Sequence, residues 1–260
     1  MAFVEWYTRE YICSNGVCER TKFPVLRDGN QSTRSGREYR RKIRRAEKNA
    51  SEAANEASRS ANENFRAGRD YLLTATLSPE GLEELVTRAG TNDPDCLLMQ
   101  MRKELVNWIR RAKRRLPQGV ELKYMGWKSD LDGKTFKPTL PHLHVFVNAE
   151  GLEAMRETWS MGFVFEKKLW SAHHGDLTDL VEYLMAQSRT VGTEKRYIPS
   201  RNLRQPQATR PRPARNPDAS LRVPKGASLI WKSEQRAGRP QKIRYYRPER
   251  DTEPEEIRRE

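Results

Sequence analysis

Apolar and polar positions alternate most regularly in the middle of the chain, and their spacing there predicts strands and helices in turn. Ser78 followed by Pro79 is a helix start signal, because serine caps the first turn and proline needs no donor there. Strands are predicted at 71–77, 120–127, 141–147 and 163–170, and helices at 79–89, 95–116, 152–160 and from Asp176 onward. This order predicts an α+β fold, with a mostly antiparallel central sheet and helices on one side.

The two ends of the chain have weaker patterns. The Asn15-Gly16 step between apolar residues predicts a small β-hairpin. A stripe of mostly alanine, basic at its start, predicts a helix that ends at Gly68. A stretch rich in proline and arginine comes last, and in it 229–231 and 242–247 are predicted to pair. The predicted organisation is a hairpin and loop at 1–36, a basic helix at 37–68, a main domain at 69–193 and a basic C-terminal extension at 194–260.

Charge indicates the kind of partner. The 260 residues include 49 Lys and Arg against 35 Asp and Glu, which gives a net charge of +14. Such a balance is typical of a protein that binds a polyanion, most often nucleic acid. An anionic membrane surface is the competing partner, but no basic helix with a Trp- and Leu-rich face supports it. The absence of a signal peptide or long apolar run, together with an odd count of three cysteines, predicts a cytoplasmic protein.

The strand at 141–147 carries the candidate chemistry. Side chains alternate on a strand, so His142 and His144 share one face while Leu143, Val145 and Val147 form a core face. The two imidazoles are then about 7 Å apart along the strand, a reasonable spacing for two ligands of one metal ion. A surface strand with two polar residues is the alternative interpretation. Zinc hydrolases also use this pattern, but usually with further His and Asp residues close behind.

Motifs in this order resemble those of the HUH rolling-circle replication initiators of small phages and plasmids, especially the type related to filamentous-phage gene II proteins. The similar stretches are the threonine-containing strand at 72–77, the histidine strand at 141–145, the helix at 181–184 and the stretch Lys195-Arg196-Tyr197-Ile198-Pro199-Ser200-Arg201-Asn202-Leu203. The resemblance covers residues 37–205. It implies an HUH endonuclease domain with an RRM-like sheet at 69–193.

The resemblance also implies an activity, which is the nicking of single-stranded DNA at a replication origin. Mg²⁺ or Mn²⁺ held by His142, His144 and a carboxylate, for which Asp130 is the candidate, would polarise a phosphate oxygen. Tyr183 would be the nucleophile, giving a 5′-phosphotyrosine intermediate and a free 3′-OH that primes rolling-circle replication. The implied partners are origin DNA and a host helicase and polymerase, with no membrane. The protein would be encoded by a phage or plasmid and act in the host cytoplasm.

Two departures from the family pattern leave alternatives open. The lysine expected three residues after the nucleophile is Ala186, and Ser129 occupies the place of the third metal ligand, with Asp130 and Asp132 just beyond. A nucleic-acid-binding protein without catalysis, on the same fold, is therefore one alternative, and a single-tyrosine HUH transposase is another. The rival nucleophiles are Tyr71, Tyr124 and Tyr197.

Basic residues flank the main domain on both sides in the sequence. They are predicted to contact DNA phosphates, although a solvated helix face would look the same. The residues are Arg40, Arg41, Lys42, Arg44, Arg45, Lys195, Arg196, Arg201 and Arg204.

Overall fold

The structure, a computed structural model, describes residues 3–27, 51–191, 195–216, 218–234 and 240–248. The chain divides into a central unit, residues 44–205, and a terminal unit, which joins residues 1–43 to residues 206–260. Within the described residues each unit contains one antiparallel sheet, and the helices belong to the central unit. The predicted α+β class is confirmed.

The sheet of the central unit has the histidine strand at its middle. Its strands lie in the order β6–β3–β5–β4–β7, and every neighbouring pair is antiparallel. The strands are β3 (Tyr71–Ala75), β4 (Tyr124–Leu131), β5 (Pro138–Val147), β6 (Val164–Lys168) and β7 (Tyr197–Pro199). β4 begins four residues later than predicted. The residues before it still contact the sheet, since the Lys123 amide donates to the Asn148 side chain.

Helices follow these strands where apolar spacing and capping residues predict them. The Ser78 side chain accepts a hydrogen bond from the Gly81 amide, as expected for a helix that starts at Pro79. The last helix starts two residues after the predicted Asp176. The helices are α1 (residues 51–64), α2 (Pro79–Ala89), α3 (Pro94–Arg115), α4 (Leu152–Thr158) and α5 (Thr178–Gln187), with a short 3₁₀ turn at Ala149–Gly151.

Both faces of this sheet are covered, whereas the sequence predicted helices on one side only. Leu143 and Val145 pack with α2, α3 and α4 on one face. Trp127 and Phe146 pack with α1 and α5 on the other. The second layer forms because large apolar residues alternate with the histidines on that face, so it must also be shielded from water. The histidines therefore lie beside an apolar layer and beneath α5.

The terminal unit is built from both ends of the chain. The hairpin predicted around Asn15-Gly16 is present, and its second strand pairs with a strand more than 200 residues later. The predicted late hairpin is also present as β10 and β11. The strands are β1 (Phe3–Ile12), β2 (Val17–Arg27), β8 (Gln207–Ala208), β9 (Arg212–Pro213), β10 (Ser228–Lys232) and β11 (Gln241–Tyr246).

This pairing corrects the predicted domain organisation. The ends were expected as separate extensions at 1–36 and 194–260, but β2–β11 pairing joins them in one sheet. The basic start of the predicted helix at 37–68, up to residue 50, lies outside the described residues, and residues 51–64 are helical. In the part of the chain that the structure describes, no helix is long and apolar enough to cross a membrane.

Candidate active site

The two histidines of β5 lie side by side. Their ring centroids are 4.9 Å apart and the ring planes are nearly perpendicular, at 89°. His142 Nδ1 donates to the Leu140 carbonyl oxygen at 3.0 Å, because a carbonyl can only accept. In the neutral imidazole this bond leaves the lone pair on Nε2. A hydrogen bond on one ring nitrogen that fixes the other as a ligand is the usual arrangement of metal-binding histidines.

His144 is held in a similar way from the neighbouring strand. Its Nδ1 lies 3.1 Å from the Thr74 hydroxyl on β3. Its Nε2 is buried and makes no hydrogen bond of normal length and angle among the described residues, although the Gln187 side chain lies close to the ring. Such an unpaired buried nitrogen is costly unless something binds it. Thr74 was singled out in the sequence only as part of a motif, because its place opposite His144 depends on the register of β3 with β5.

Burial also fixes the charge of His144. It lowers the pKa of the imidazole to about 3; the neighbouring His142 lowers it further, and the Gln187 side chain acts in the opposite direction. The ring is therefore neutral at physiological pH. A neutral imidazole is the form that binds a metal ion.

α5 supports the histidines from above. Ser129 faces His142 across the β4–β5 ladder and is fully buried, and its hydroxyl donates to the Gln187 carbonyl oxygen at 3.1 Å. The Trp127 indole, opposite His144, lies 3.3 Å from the Met185 sulfur. These contacts fix the end of α5 to the sheet beside the two rings.

Asp130, predicted as the third metal ligand, does not meet the histidines. It lies at an irregularity of the β4–β5 ladder, between Ser129 and Leu131, and its side chain is buried. There its carboxylate lies 3.4 Å from Arg189, which also pairs with Asp95 at the start of α3. This placement corrects the prediction. Nor do the described residues contain a cluster of three His, Cys, Asp or Glu side chains able to hold a metal ion.

Asp132, the other acid near that position, has a structural role instead. Its carboxylate accepts hydrogen bonds from the amides of Lys134 and Thr135 and from the Thr135 hydroxyl. These bonds lower the pKa of the Asp132 carboxyl and close the turn between β4 and β5.

Tyr183 lies over that turn. Its side chain is 41% exposed, and its hydroxyl donates to the Gly133 carbonyl oxygen at 3.1 Å. A Cβ at Gly133 would lie only 2.4 Å from the tyrosine oxygen, so the hydroxyl can take this position only because residue 133 is glycine. Leu180 and Leu184 are buried as the predicted stripe required, and they set the rotation of α5 that presents Tyr183.

A cleft brings Tyr183 and His144 together. It has a volume of about 780 Å³, and both side chains line it. Thr74, Lys167 and Asp179 also contribute to its walls. Lys167 was not predicted, since only the pairing of β6 with β3 brings it there. It lies in the same cleft as Tyr183, whereas Ala186, where the family has lysine, has no amine.

The rival tyrosines lie elsewhere. Tyr197 stacks on Trp127 with ring centroids 6.2 Å apart, and burial raises its pKa to about 12. Burial also raises the pKa of Tyr124, which packs with Tyr71 against the α3 face. A raised pKa makes a phenol harder to deprotonate. Among these four tyrosines, Tyr183 is the one that lines the cleft in the described structure.

The predicted phosphate-binding residues fall into two groups. Lys195, Arg196, Arg201 and Arg204 are all exposed around β7. Ser200 between them is buried and exchanges hydrogen bonds with the Tyr124 backbone, which fixes this basic stretch to the sheet edge. The other group, Arg40, Arg41, Lys42, Arg44 and Arg45, lies outside the described residues.

Comparison of the chain with protein-family models, with curated proteins and with solved structures finds no match. The case for a function therefore depends on the geometry of this cleft.

Proposed function

We propose that this protein is a metal-dependent DNA-nicking and strand-joining endonuclease of the HUH type, which initiates rolling-circle replication. One observation carries the proposal. A buried, neutral His144 with an unpaired Nε2 lines the same cleft as the partly exposed side chain of Tyr183. A ligand nitrogen and a nucleophile that share one cleft are what phosphodiester cleavage of this kind requires.

The histidines fit a divalent cation. Nε2 of His142 and Nε2 of His144 are the two nitrogens that would hold Mg²⁺ or Mn²⁺, and the orphaned His144 nitrogen supports this use. Two imidazoles suit Mn²⁺ at least as well as Mg²⁺, and water and phosphate oxygens would complete the coordination. When bound, such an ion neutralises charge on a phosphate oxygen and makes the phosphorus easier to attack.

Tyr183 would make and break the bonds. Its oxygen attacks the phosphorus and forms a P–O bond to tyrosine, while the bond from phosphorus to the 3′ oxygen breaks. The phenol gives up its proton and the departing 3′ oxygen gains one, so the products are a 5′-phosphotyrosine and a 3′-OH. The phosphodiester energy is kept in the tyrosine ester, and the reverse attack rejoins the strand without ATP.

Lys167 would assist through its charge. It lines the same cleft as Tyr183, so its positive charge would attract a phosphate bound there. Lys167 on β6 would thus supply the positive charge that the family's lysine supplies from α5, where this chain has Ala186. In the resting arrangement the tyrosine proton is held by the Gly133 carbonyl, and the hydroxyl must leave that acceptor to attack.

A second candidate function is binding to nucleic acid without catalysis. The observation that favours it is the placement of Asp130 beside Arg189, since the described residues then hold no cluster of two histidines and an acid. The exposed basic residues around β7 serve a binding protein equally well.

One experiment separates the two functions. The protein is incubated with labelled single-stranded DNA and Mn²⁺ or Mg²⁺, and covalent adducts are resolved on a denaturing gel. We expect an adduct that Tyr183→Phe abolishes, because this change removes only the nucleophilic oxygen. His144→Ala should abolish it as well and weaken Mn²⁺ binding measured by calorimetry.

Tyr124→Phe is the matched control, since it removes a hydroxyl from a tyrosine that lies outside the cleft. An adduct that persists in Tyr183→Phe and maps to another tyrosine would refute the nucleophile. Wild-type protein that binds DNA but forms no adduct with either metal would establish the binding protein instead.

A further inference from the structure

Three aromatic side chains beside the cleft are left in water. Phe163 and Phe165 are each 63% exposed and Trp170 is 43% exposed. Single exposed apolar residues are ordinary, but a group of them marks a binding surface. We call Phe163, Phe165 and Trp170 the aromatic strip.

The aromatic strip continues the wall of the cleft. Phe165 pairs with Thr74 across the β3–β6 ladder, and Thr74 contacts His144, so Phe165 projects from the same face as the histidine. Phe163 exchanges backbone hydrogen bonds with Thr76, two residues along that face. Phe165 and Trp170 line the cleft itself. Phe163 and Phe165 are therefore about 7 Å apart on this face, and Trp170 follows the end of β6.

Positive charge accompanies these rings. The Lys167 ammonium lies 4.1 Å from the centroid of the Trp170 ring, and Lys168 next to it is exposed. A cation beside an exposed aromatic face offers one group for a phosphate and one for a base. This combination is the one with which proteins bind single-stranded nucleic acid.

We propose that the aromatic strip stacks on unpaired bases of a DNA strand. The position of that strand, with one phosphate in the cleft, rests on the proposed function. Bases in a duplex are already stacked on each other, so this surface selects single-stranded over double-stranded DNA. A second copy of the chain is a weaker occupant. β6 is an edge strand, and lysines on an edge strand oppose pairing with another strand.

The test measures binding of a fluorescent oligothymidine and of a duplex by anisotropy, without divalent metal. Phe165→Ala and Trp170→Ala should each weaken single-strand binding about 5- to 150-fold, the range expected when one base loses its stacking partner, and leave duplex binding unchanged. Trp170→Phe should restore most of the affinity because it keeps an aromatic ring. Both positions are exposed, so the folded state should be unaffected by circular dichroism.

Trp231→Ala is the matched control. Trp231 is 41% exposed and lies beside the cations of Lys242 and Arg244, but it belongs to the terminal unit. Equal losses in Trp231→Ala and Trp170→Ala would overturn the assignment. A change of oligomeric state in Phe165→Ala, with single-strand affinity unaltered, would show that β6 meets a second copy and would also overturn it.

The adduct assay separates failure of the aromatic strip from failure of the proposed function. If wild-type protein forms the adduct but Phe165→Ala binds single strands as tightly as wild type, the role of the aromatic strip is refuted and the nuclease function stands. If wild-type protein forms no adduct but Phe165→Ala loses single-strand affinity, the nuclease function is refuted and the aromatic strip stands as part of a binding protein.

Discussion

The two units of this chain differ in how they use charge. The central unit carries 26 Lys and Arg against 22 Asp and Glu in 162 residues, whereas the terminal unit carries 23 against 13 in 98 residues. The site that could perform chemistry is in the nearly balanced unit. The excess of positive charge is concentrated in the other. Under the proposed function, attraction to a polyanion and reaction with it would therefore be separate tasks, and each could be changed without the other.

The interiors of the two units also differ, because the central unit buries more apolar side chains among the described residues. The central unit has an apolar layer on each face of its sheet. The fully buried cluster of the terminal unit is small, and it consists of Cys18, Leu221, Ile243 and Tyr245. Arg20 lies 5.7 Å from the centroid of the Tyr245 ring, and charged residues such as Arg244 are also buried there. Stems of basic residues thus cover surface that leucine and phenylalanine cover in the central unit.

The largest expected effect concerns these interiors. Phe146→Ala should lower the free energy of unfolding of the central unit by about 3–5 kcal/mol, because it empties space between Phe65 and Trp127. Ile243→Val, at an equally buried position of the terminal unit, should cost only about 0.5–1.5 kcal/mol. Denaturant titration followed by tryptophan fluorescence and circular dichroism measures both. Equal shifts of one common transition in both variants would contradict separate interiors.

A smaller effect is expected in the salt dependence of DNA binding. Changing three exposed arginines of the terminal unit to glutamine should flatten the plot of log affinity against log salt by about 0.7 for each single-strand phosphate that the protein no longer neutralises. These residues are Arg210, Arg212 and Arg215. The adduct should still form at saturating DNA. If the triple variant no longer forms the adduct at saturating DNA, the claim that binding and chemistry are separate tasks is contradicted.

Two further triple variants locate the phosphate-binding residues within the central unit. Around β7 the residues are Arg196, Arg201 and Arg204, where flattening of the slope is also expected. The control triple on α3, which carries the same change of charge, is Arg110, Arg114 and Arg115. α3 covers the face of the sheet opposite the cleft. An unchanged slope for the β7 variant would leave those residues as solvated charges.

The smallest expected effect is confined to the central unit and to high pH. Burial raises the pKa of Tyr197 to about 12, above the value near 10 of an unfolded chain. The unfolded state therefore loses its proton first. The stability that this tyrosine contributes is complete below pH 10 and is lost as the pH rises towards 12. Tyr197→Phe should weaken that pH dependence in denaturant titrations, and an unchanged profile would contradict the shift.

Local patterns were sufficient to predict much of the central unit. Ser78-Pro79 marked the start of α2, and alternation put the two histidines opposite the core face of β5. The prediction of Asp130 failed because it was chosen by closeness in sequence, whereas its carboxylate lies beside Arg189 at an irregularity of β4.

Other features depend on pairing between distant residues, which no local pattern reports. Lys167 and Phe165 reach the cleft only through the register of β6 with β3. The terminal sheet depends on β2 meeting β11, with the whole central unit between them in sequence. The helices on the second face follow from Trp127 and Phe146. Their apolar character was visible, but it was assigned to single strands and not to a layer.

The pairing of β2 with β11 has a consequence during synthesis. Lys22 pairs with Gln241 and Val17 pairs with Tyr246, and these partners are synthesised more than 200 residues later. At about 5–20 residues per second, β2 keeps an unpaired edge for roughly 10–45 s. The central unit has all its strands and can fold within that interval. A nascent chain in this state already contains the cleft, but the edge of β2 is still unpaired. Nascent chains on neighbouring ribosomes can pair through such edges, so aggregation is expected before the terminal sheet is complete.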